Sequence, residues 1–142
     1  FTVSGYDYYG QSMSEVIASS GSASTAVNGK KAFYQITGIT VSGGTTVAIT
    51  MGTTDILGLP VRVTDAGYIA RVGFNNTLAE DAGTFVAAAT ATATTTTGDV
   101  RGTYVPSGAC DGIKRLVVGI LLPAIAVGPN ATRQGALGVT QA

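Results

Sequence analysis

The stretch VRVTDAGYIARV, from Val61 to Val72, carries the clearest strand–turn–strand signal in the chain. Two β-rich runs flank the tripeptide Asp65-Ala66-Gly67. Because glycine adopts positive φ without steric penalty, Gly67 suits the tight loop that joins antiparallel strands. The stretch therefore predicts a β-hairpin with strands at Val61–Thr64 and Tyr68–Phe74.

Similar short runs, separated by Gly, Asn, Asp and Ser, recur along the chain, which is the pattern of a sandwich or barrel. Twenty glycines and many β-branched threonines also favour strands over helices. Further strands are predicted at Phe1–Tyr6, Met13–Ala18, Phe33–Val41, Thr46–Met51, Thr84–Ala93, Asp99–Val105 and Lys114–Leu122. The best helical candidate is a single turn at Thr77–Asp81, where Thr77 is a possible N-cap with Glu80 three residues on.

The predicted fold class is all-β: a jelly-roll-like antiparallel β-sandwich of about eight or nine strands, with little or no helix. Residues 1–122 are expected to form this domain, and residues 123–142 a C-terminal extended arm. The Ala/Thr segment Ala87–Thr97 is either a strand or a flexible segment that a partner orders. The apolar run Leu116–Gly128 is shorter than the roughly 20 residues of a membrane span, so it predicts a buried strand followed by an apolar arm.

The composition is neutral and poor in charge. Charged residues make up 11% of the 142 residues, and eight basic side chains balance eight acidic ones. Typical globular domains carry about 25% charged residues. Such a chain lacks the positive field that a phosphate backbone requires, so neither nucleic acid nor a membrane is an expected partner. A surface of small residues near zero net charge is prone to associate, which indicates a component of an assembly.

Side chains that usually perform catalysis are scarce. The chain has no histidine, which excludes Ser-His-Asp, Cys-His and histidine-based metal sites. Cys110 is the single cysteine, so it is interpreted as a small packed thiol in a protein that folds in a reducing cytosol. Lys30 and Lys31 follow a predicted turn at Asn28-Gly29 and are expected in solvent. We therefore predict no enzyme activity, no cofactor, and no catalytic or metal-binding residues.

The segment GYDYYGQSMSEVI, Gly5–Ile17, leaves one catalytic alternative open. If Tyr9–Ser12 forms the turn, Asp7 and Glu15 could face each other as the carboxylate pair that glycoside hydrolysis uses. Acids that flank a hairpin in solvent are the commoner arrangement, so the catalytic reading is the weaker one. Glu15 shares a strand face with apolar neighbours, and it therefore needs a partner or an exposed strand end.

Three tyrosines in the same segment suit sugar recognition, because their ring faces are apolar and their tips polar. They are Tyr6, Tyr8 and Tyr9. Strict strand alternation puts Tyr6 and Tyr8 on one face and Tyr9 on the other. We therefore predict that these rings form no common aromatic platform and that the segment is an architectural hairpin.

Four stretches together resemble one known family: GYDYYGQSMSEVI (5–17), TAVNGKKAFYQIT (25–37), GTTDILGLPVRV (52–63) and GDVRGTYVPSGACDGIKRLVV (98–118). In this order they are similar to small structural proteins encoded beside the major capsid protein in short-tailed bacteriophages. Those proteins look like capsid cement, or decoration, proteins with a jelly-roll fold. The resemblance spans about Gly5 to Val118, which is most of the chain.

The resemblance implies a non-enzymatic virion protein that binds the outer surface of the phage capsid and cements neighbouring major capsid protein subunits against internal DNA pressure. The implied partners are the major capsid protein and the protein itself, as a dimer or trimer, assembled in the host bacterial cytoplasm. The alternative is a receptor- or carbohydrate-binding β-sandwich module of a virion or cell surface, which the tyrosine-rich segment would serve.

Three regions are expected to make the contacts of such a protein: the apolar arm with its tail, the Ala/Thr segment, and the loop Pro106–Gly112. Each also has an ordinary interpretation, as a buried strand end, an edge strand and a surface loop respectively. The candidate contact residues are Pro123, Ala124, Ile125, Val127, Leu137, Val139, Thr92, Thr94, Pro106 and Asp111.

Overall fold

A computed structural model of the chain describes residues 1–45, 48–75, 77–89 and 98–121. Its strands are β1 Thr2–Tyr6, β2 Ser12–Val16, β3 Gln35–Thr40, β4 Leu57–Gly58, β5 Ile69–Phe74, β6 Thr84–Val86, β7 Thr103–Val105 and β8 Leu116–Ile120. A 3-10 turn at Ala66–Tyr68 is the one helical element in these ranges. The protein is therefore all-β, as predicted, and its eight described strands fall within the predicted number.

The first sheet places β1 between β2 and β3, with both neighbours antiparallel to it. Val3 lies opposite Glu15, and Gly5 lies opposite Met13. Opposed residues point to the same face of a sheet, and all four of these residues are buried. The alternation seen in the sequence therefore gave the right strands here, and it also gave the inward face on which Glu15 lies.

Two further antiparallel sheets contribute the main hydrophobic core. Their strand orders are β4-β7-β6 and β5-β8. The buried residues of the core are Leu59, Val63, Val72 and Tyr104, and the partly buried residues packed against them are Val61, Tyr68, Ile69, Phe85, Leu116, Val118 and Ile120. One core thus receives side chains from both sheets, as in a sandwich. The jelly-roll connectivity stays a prediction, because the described strands form three sheets rather than two.

The hairpin predicted at Val61–Val72 is wrong as a pairing, although its second strand is confirmed as β5. β5 pairs with the distant β8 instead of with the segment before it. The Asp65 carboxylate accepts a hydrogen bond from the Gly67 backbone N–H at 2.7 Å, and the chain makes a 3-10 turn rather than a hairpin loop. Asp65 and Gly67 were therefore correctly read as turn residues, but the turn does not return the chain onto itself.

Val63 explains why the first half of that stretch pairs elsewhere. Its backbone N–H donates to the Arg101 carbonyl at 2.9 Å, and its carbonyl accepts from the Ala88 N–H at 2.8 Å. These bonds hold Val63 between two distant segments, where it is 1% exposed. Burial in the shared core thus overrides the local hairpin preference.

Three other predictions differ from the structure. Residues 48–51 form no strand, and the rest of the predicted strand Thr46–Met51 lies outside the described residues. The predicted strand Thr84–Ala93 is a strand only over Thr84–Val86, and residues 90–93 lie outside the described ranges. No helical turn forms over Thr77–Asp81, because the Thr77 hydroxyl donates to the Phe74 carbonyl at 2.9 Å instead of capping a following turn.

Candidate functional site

Two of the predicted contact residues, Pro106 and Asp111, are described by the structure. Thr92, Thr94, Pro123, Ala124, Ile125, Val127, Leu137 and Val139 lie outside the described residues. Pro106 is buried, so its side chain is not presented at the surface of this chain, whereas Asp111 is exposed. Asp111 Oδ1 accepts backbone hydrogen bonds from Ile113 at 2.9 Å and Lys114 at 2.8 Å, so this carboxylate holds its own turn.

Asp81 ties the loop Pro106–Gly112 to the core. Its Oδ2 accepts from the Tyr104 hydroxyl at 2.7 Å, and its Oδ1 accepts from the Ser107 hydroxyl at 2.5 Å. The hydrogen bond from Ser107 is the main reason that the pKa of the Asp81 carboxyl lies below its usual value. Burial, together with the hydrogen bond to Asp81, raises the pKa of Tyr104 to about 12. The loop is therefore anchored by a charge-assisted network rather than left free.

Stability should depend on pH through Asp81. A carboxyl whose pKa is lowered by folding contributes stability above its unfolded value of 3.8, and that contribution is lost as the pH falls through the folded pKa. At pH 7 we expect Asp81→Asn to lower the free energy of unfolding by about 1 kcal/mol, since the hydrogen bonds are partly exposed. Urea unfolding at pH 7 and pH 3 measures the difference from the unmodified chain. A difference that does not shrink at the lower pH would contradict the assignment.

Cys110 is exposed, so its interpretation as a packed thiol is wrong. Its backbone N–H donates to Asp55 Oδ1 at 3.1 Å, which fixes the loop and leaves the side chain at the surface. Desolvation and the Asp55 carboxylate raise the pKa of the Cys110 thiol. Because the thiolate is the nucleophilic form, this thiol is deactivated rather than activated.

Asp7 and Glu15 do not form a catalytic pair, and both are buried rather than exposed. In the strand register Glu15 lies opposite Val3, whereas Asp7 lies beyond the end of β1. Asp7 Oδ1 accepts backbone hydrogen bonds from Tyr9 and Gln11, both at 2.8 Å. The hypothesis of a glycoside-hydrolysing pair is therefore wrong, because the two carboxylates are separated along the strand and Asp7 is committed to the turn.

Five buried charged residues connect the β1–β2 hairpin to the segment before β7. We call Asp7, Glu15, Lys31, Asp99 and Arg101 the buried charge cluster. Arg101 Nη1 lies 3.1 Å from Asp7 Oδ2, and Arg101 Nε lies 3.7 Å from Asp99 Oδ1. Glu15 Oε2 accepts from the Lys31 backbone N–H at 3.2 Å. The pKa of the Lys31 ammonium is lowered, because the effect of burial outweighs the opposite effect of the nearby Glu15 and Asp99 carboxylates.

The buried charge cluster explains how Glu15 can lie on an inward strand face, and it shows that the prediction of a solvent-exposed Lys31 is wrong. Glu15 lies on an inward face because backbone N–H groups of the segment at Lys30 and Lys31 satisfy its carboxylate. Lys31 is 7% exposed rather than in solvent. Buried charges persist only when they are paired and hydrogen-bonded, so these residues need one another.

Tyr8 and Tyr9 lie in a turn rather than in a strand. The turn runs from Asp7 to Gly10, where the Gly10 N–H donates to the Asp7 carbonyl at 3.0 Å and Gly10 takes a φ of 76°. Strand alternation does not apply there, and the ring centroids of Tyr8 and Tyr9 are 5.4 Å apart. Tyr34 joins them, with its centroid 5.6 Å from that of Tyr8. The alternation that separated Tyr8 from Tyr9 is therefore wrong, but their ring planes are perpendicular, at 89°, so the two rings share no single flat platform.

A cavity of about 280 Å³ lies beside these rings, and Tyr8, Phe33, Tyr34, Leu59, Pro60 and Arg101 are among the residues that line it. We call the three rings and this cavity the tyrosine cleft. The Tyr9 hydroxyl donates to the Pro60 carbonyl at 2.6 Å. The Arg101 guanidinium carbon lies 5.6 Å from the centroid of the Tyr9 ring, within the range of a cation–π contact.

The charged residue that lines the tyrosine cleft is engaged in ion pairs within the protein. That residue, Arg101, is held by Asp7 and Asp99, so these carboxylates are occupied with an ion pair. Among the residues that the structure describes, no group of three His, Cys, Asp or Glu side chains could hold a metal ion. The chemistry that the cleft offers is stacking on aromatic faces and hydrogen bonding at its edges.

The sequence contains a local signal for the turn that carries Tyr8 and Tyr9, but it contains no signal for the other residues of the cleft. The pattern Asp7-Tyr8-Tyr9-Gly10 has aspartate first and glycine fourth, which is typical of a type I turn and would place both tyrosines at its tip. Nothing in the sequence marks Tyr34 or Arg101, because each reaches the cleft from a distant segment.

In the part of the chain that the structure describes, no helix is long and apolar enough to pass through a bilayer. A comparison of the chain with protein-family models, with curated proteins and with solved structures finds no match.

Proposed function

We propose that this chain is a non-enzymatic virion protein that binds the outer surface of a phage capsid and cements neighbouring major capsid protein subunits. Its partners are the major capsid protein and further copies of itself, in a dimer or trimer assembled in the host cytoplasm. The resemblance of residues 5–118 to the cement proteins of short-tailed phages supports this proposal, and so does the neutral composition, with eight basic and eight acidic residues.

The observation that carries the proposal is an apolar face on β3 that the described residues leave open. Ile39 lies opposite Val3, and Ile36 lies opposite Gly5. A register shift between Ser4 and Gly5 inserts one extra residue in β3 between these two pairs. Ile36 and Ile39, although three residues apart, therefore both lie on the side of the sheet where Val3 is buried. Yet Ile36 is 41% exposed and Ile39 38% exposed. The apolar side of the first sheet is therefore buried at Val3 but open to solvent at Ile36 and Ile39. An open apolar area of this kind is typical of a surface that contacts another protein.

The position of β3 adds a second mode of contact. β3 is an edge strand of the order β2-β1-β3, and all six of its residues are exposed. An exposed edge presents backbone N–H and C=O groups that can pair with a strand of another chain. A partner on this side would thus gain backbone hydrogen bonds together with apolar burial. Repetition over a symmetric shell makes even weak contacts strong through multivalency.

The test compares two isoleucine variants with an exposed apolar residue elsewhere. Ile36→Thr combined with Ile39→Thr keeps β-branched side chains in β3 but removes apolar surface. We expect this variant to lose at least tenfold in affinity for capsids assembled from the major capsid protein encoded beside this chain. Co-sedimentation with bare capsids measures the binding, and analytical ultracentrifugation measures self-association.

Leu78→Thr is the matched control, since Leu78 is 91% exposed and lies outside the first sheet. It should bind capsids as the unmodified chain does. If the unmodified protein stays monomeric and does not sediment with capsids, the cement function is excluded. If it binds but the control loses as much affinity as the β3 variant, the function stands and the assignment of the surface to β3 is wrong.

A further inference from the structure

We propose that the tyrosine cleft is a binding site for a neutral saccharide unit. Tyr34 directly precedes β3, so this site borders the uncovered face of that strand, and it adds a ligand to a protein whose proposed function is capsid binding. Its essential parts are the rings of Tyr8 and Tyr34, the fixed ring of Tyr9, and Arg101 in the cavity wall.

The two outer rings form an aromatic corner that faces solvent. Tyr8 is perpendicular to Tyr34, with an angle of 89° between the ring planes. Tyr8 is 68% exposed and Tyr34 72% exposed, so most of their apolar surface is uncovered. A pyranose ring has an apolar C–H face and polar edges, which matches rings that have apolar faces and hydroxyl tips. Neither ring hydroxyl has a hydrogen-bond partner among the described residues.

The base of the cleft is held in place before any ligand arrives. The Tyr9 hydroxyl is bonded to the Pro60 carbonyl, and the Arg101 guanidinium lies over the Tyr9 ring. Asp7 fixes the turn through the backbone N–H groups of Tyr9 and Gln11. Little conformational freedom of the turn is therefore lost on binding, which favours affinity for a small ligand.

The charges around the cavity favour a neutral ligand over an acidic one. Arg101 is 2% exposed, and it is paired with Asp7 at 3.1 Å and lies near Asp99 at 3.7 Å. Asp99 also lies near the Lys31 ammonium, and the buried charge cluster as a whole holds three carboxylates and two cations. It therefore offers no net positive potential to a phosphate or to the carboxylate of a sialic acid. The hydroxyl groups of a neutral sugar need no positive potential, and they can form hydrogen bonds with Arg101 and with the tyrosine hydroxyls.

The size of the cavity limits the ligand further. Its volume of about 280 Å³ lies just below the range of about 300–1,000 Å³ that drug-sized ligands occupy. The cavity beside the rings therefore has room for about one sugar unit, and the rest of an oligosaccharide would extend into solvent. Recognition through a single unit predicts weak affinity per subunit, which an oligomer would increase by multivalency.

The experiment screens the full chain against arrayed oligosaccharides, both neutral and acidic. Proline-rich peptides are included because they also bind to exposed aromatic side chains. Titration calorimetry then measures the affinity for the best neutral glycan. We expect saturable binding that Tyr34→Ala and Tyr8→Ala each weaken about tenfold, and that Tyr34→Phe largely retains because the stacking face remains. Since the ligand is uncharged, the affinity should change little between low and high salt.

Tyr6→Ala is the matched control, because Tyr6 is an exposed tyrosine of the same hairpin that does not line the cavity. It should leave glycan binding unchanged, and thermal unfolding confirms that all variants fold. The proposal is overturned if no neutral glycan binds, if only acidic glycans or peptides bind, or if Tyr6→Ala weakens binding as much as Tyr34→Ala does. Capsid binding by Tyr34→Ala, measured separately, is expected to be unchanged, so the two proposals can fail independently.

Discussion

Replacing Arg101 with methionine should lower the free energy of unfolding by about 3–5 kcal/mol, because it leaves the buried Asp7 carboxylate without its cation and removes one of the two cations near Asp99. Arg101 is 2% exposed, and its guanidinium lies 3.1 Å from Asp7 and 3.7 Å from Asp99. Methionine fills a similar space, so the lost stability reports mainly on the missing charge. Guanidinium chloride unfolding at pH 7, followed by circular dichroism, measures it.

Lys114→Met is the matched control for this variant. Lys114 also pairs with an aspartate, Asp111, at 3.6 Å, but both side chains are largely exposed. Exposed ion pairs contribute little, so we expect no measurable loss of stability from this change. The buried charge cluster would be wrongly assigned if Arg101→Met were no more destabilising than Lys114→Met. A double variant that also carries Asp7→Asn should lose less than the sum of the single losses, since the two residues interact directly.

Replacing Gly5 with alanine should also be strongly destabilising, by about 3 kcal/mol. A Cβ atom on Gly5 would lie 2.0 Å from the carbonyl oxygen of Gln35, a backbone atom of the adjacent strand β3. No side-chain rotation can relieve this contact, so β1 and β3 would have to separate. Urea unfolding measures the loss of stability, and hydrogen exchange should show faster exchange of the β3 amides.

Gly38→Ala provides the comparison within the same sheet. Gly38 lies in β3 opposite Ser4, and a Cβ atom there meets nothing within 4 Å. The change should therefore be neutral or stabilise by about 0.5 kcal/mol, because alanine restricts the unfolded chain. If the two alanine variants had equal stability, the close approach of Gly5 to Gln35 would not determine the pairing of β1 with β3.

The strands of this fold could be predicted from the sequence because alternation and turn residues are local signals. Phe1–Tyr6 and Met13–Ala18 were placed within a few residues of β1 and β2. Which strands pair is a different matter, because it depends on segments far apart in the chain. The stretch at Val61–Val72 shows this, since β5 pairs with β8 and Val63 bonds to Arg101 and Ala88.

The candidate site was harder to predict than the fold. Strand alternation was extended beyond Tyr6 to Tyr8 and Tyr9, so it separated two rings that the turn brings together. Lys31 was expected in solvent because its sequence neighbours are turn residues, whereas its burial depends on Glu15 and Asp99. A buried charge is revealed only by its partners, and those partners are not adjacent in sequence.

The buried charge cluster also sets the order in which a growing chain can fold. Asp7 leaves the ribosome long before Arg101, which follows it by 94 residues. Until Arg101 has been synthesised, packing the N-terminal hairpin would bury Asp7 without its cation, so water keeps that carboxylate exposed. Contacts of such large sequence separation form late, because the loop between them must close first. The cation–π contact on Tyr9 and the part of the cavity wall that Arg101 supplies are therefore completed only when most of the chain has been made, and a chain truncated before Arg101 would lack both.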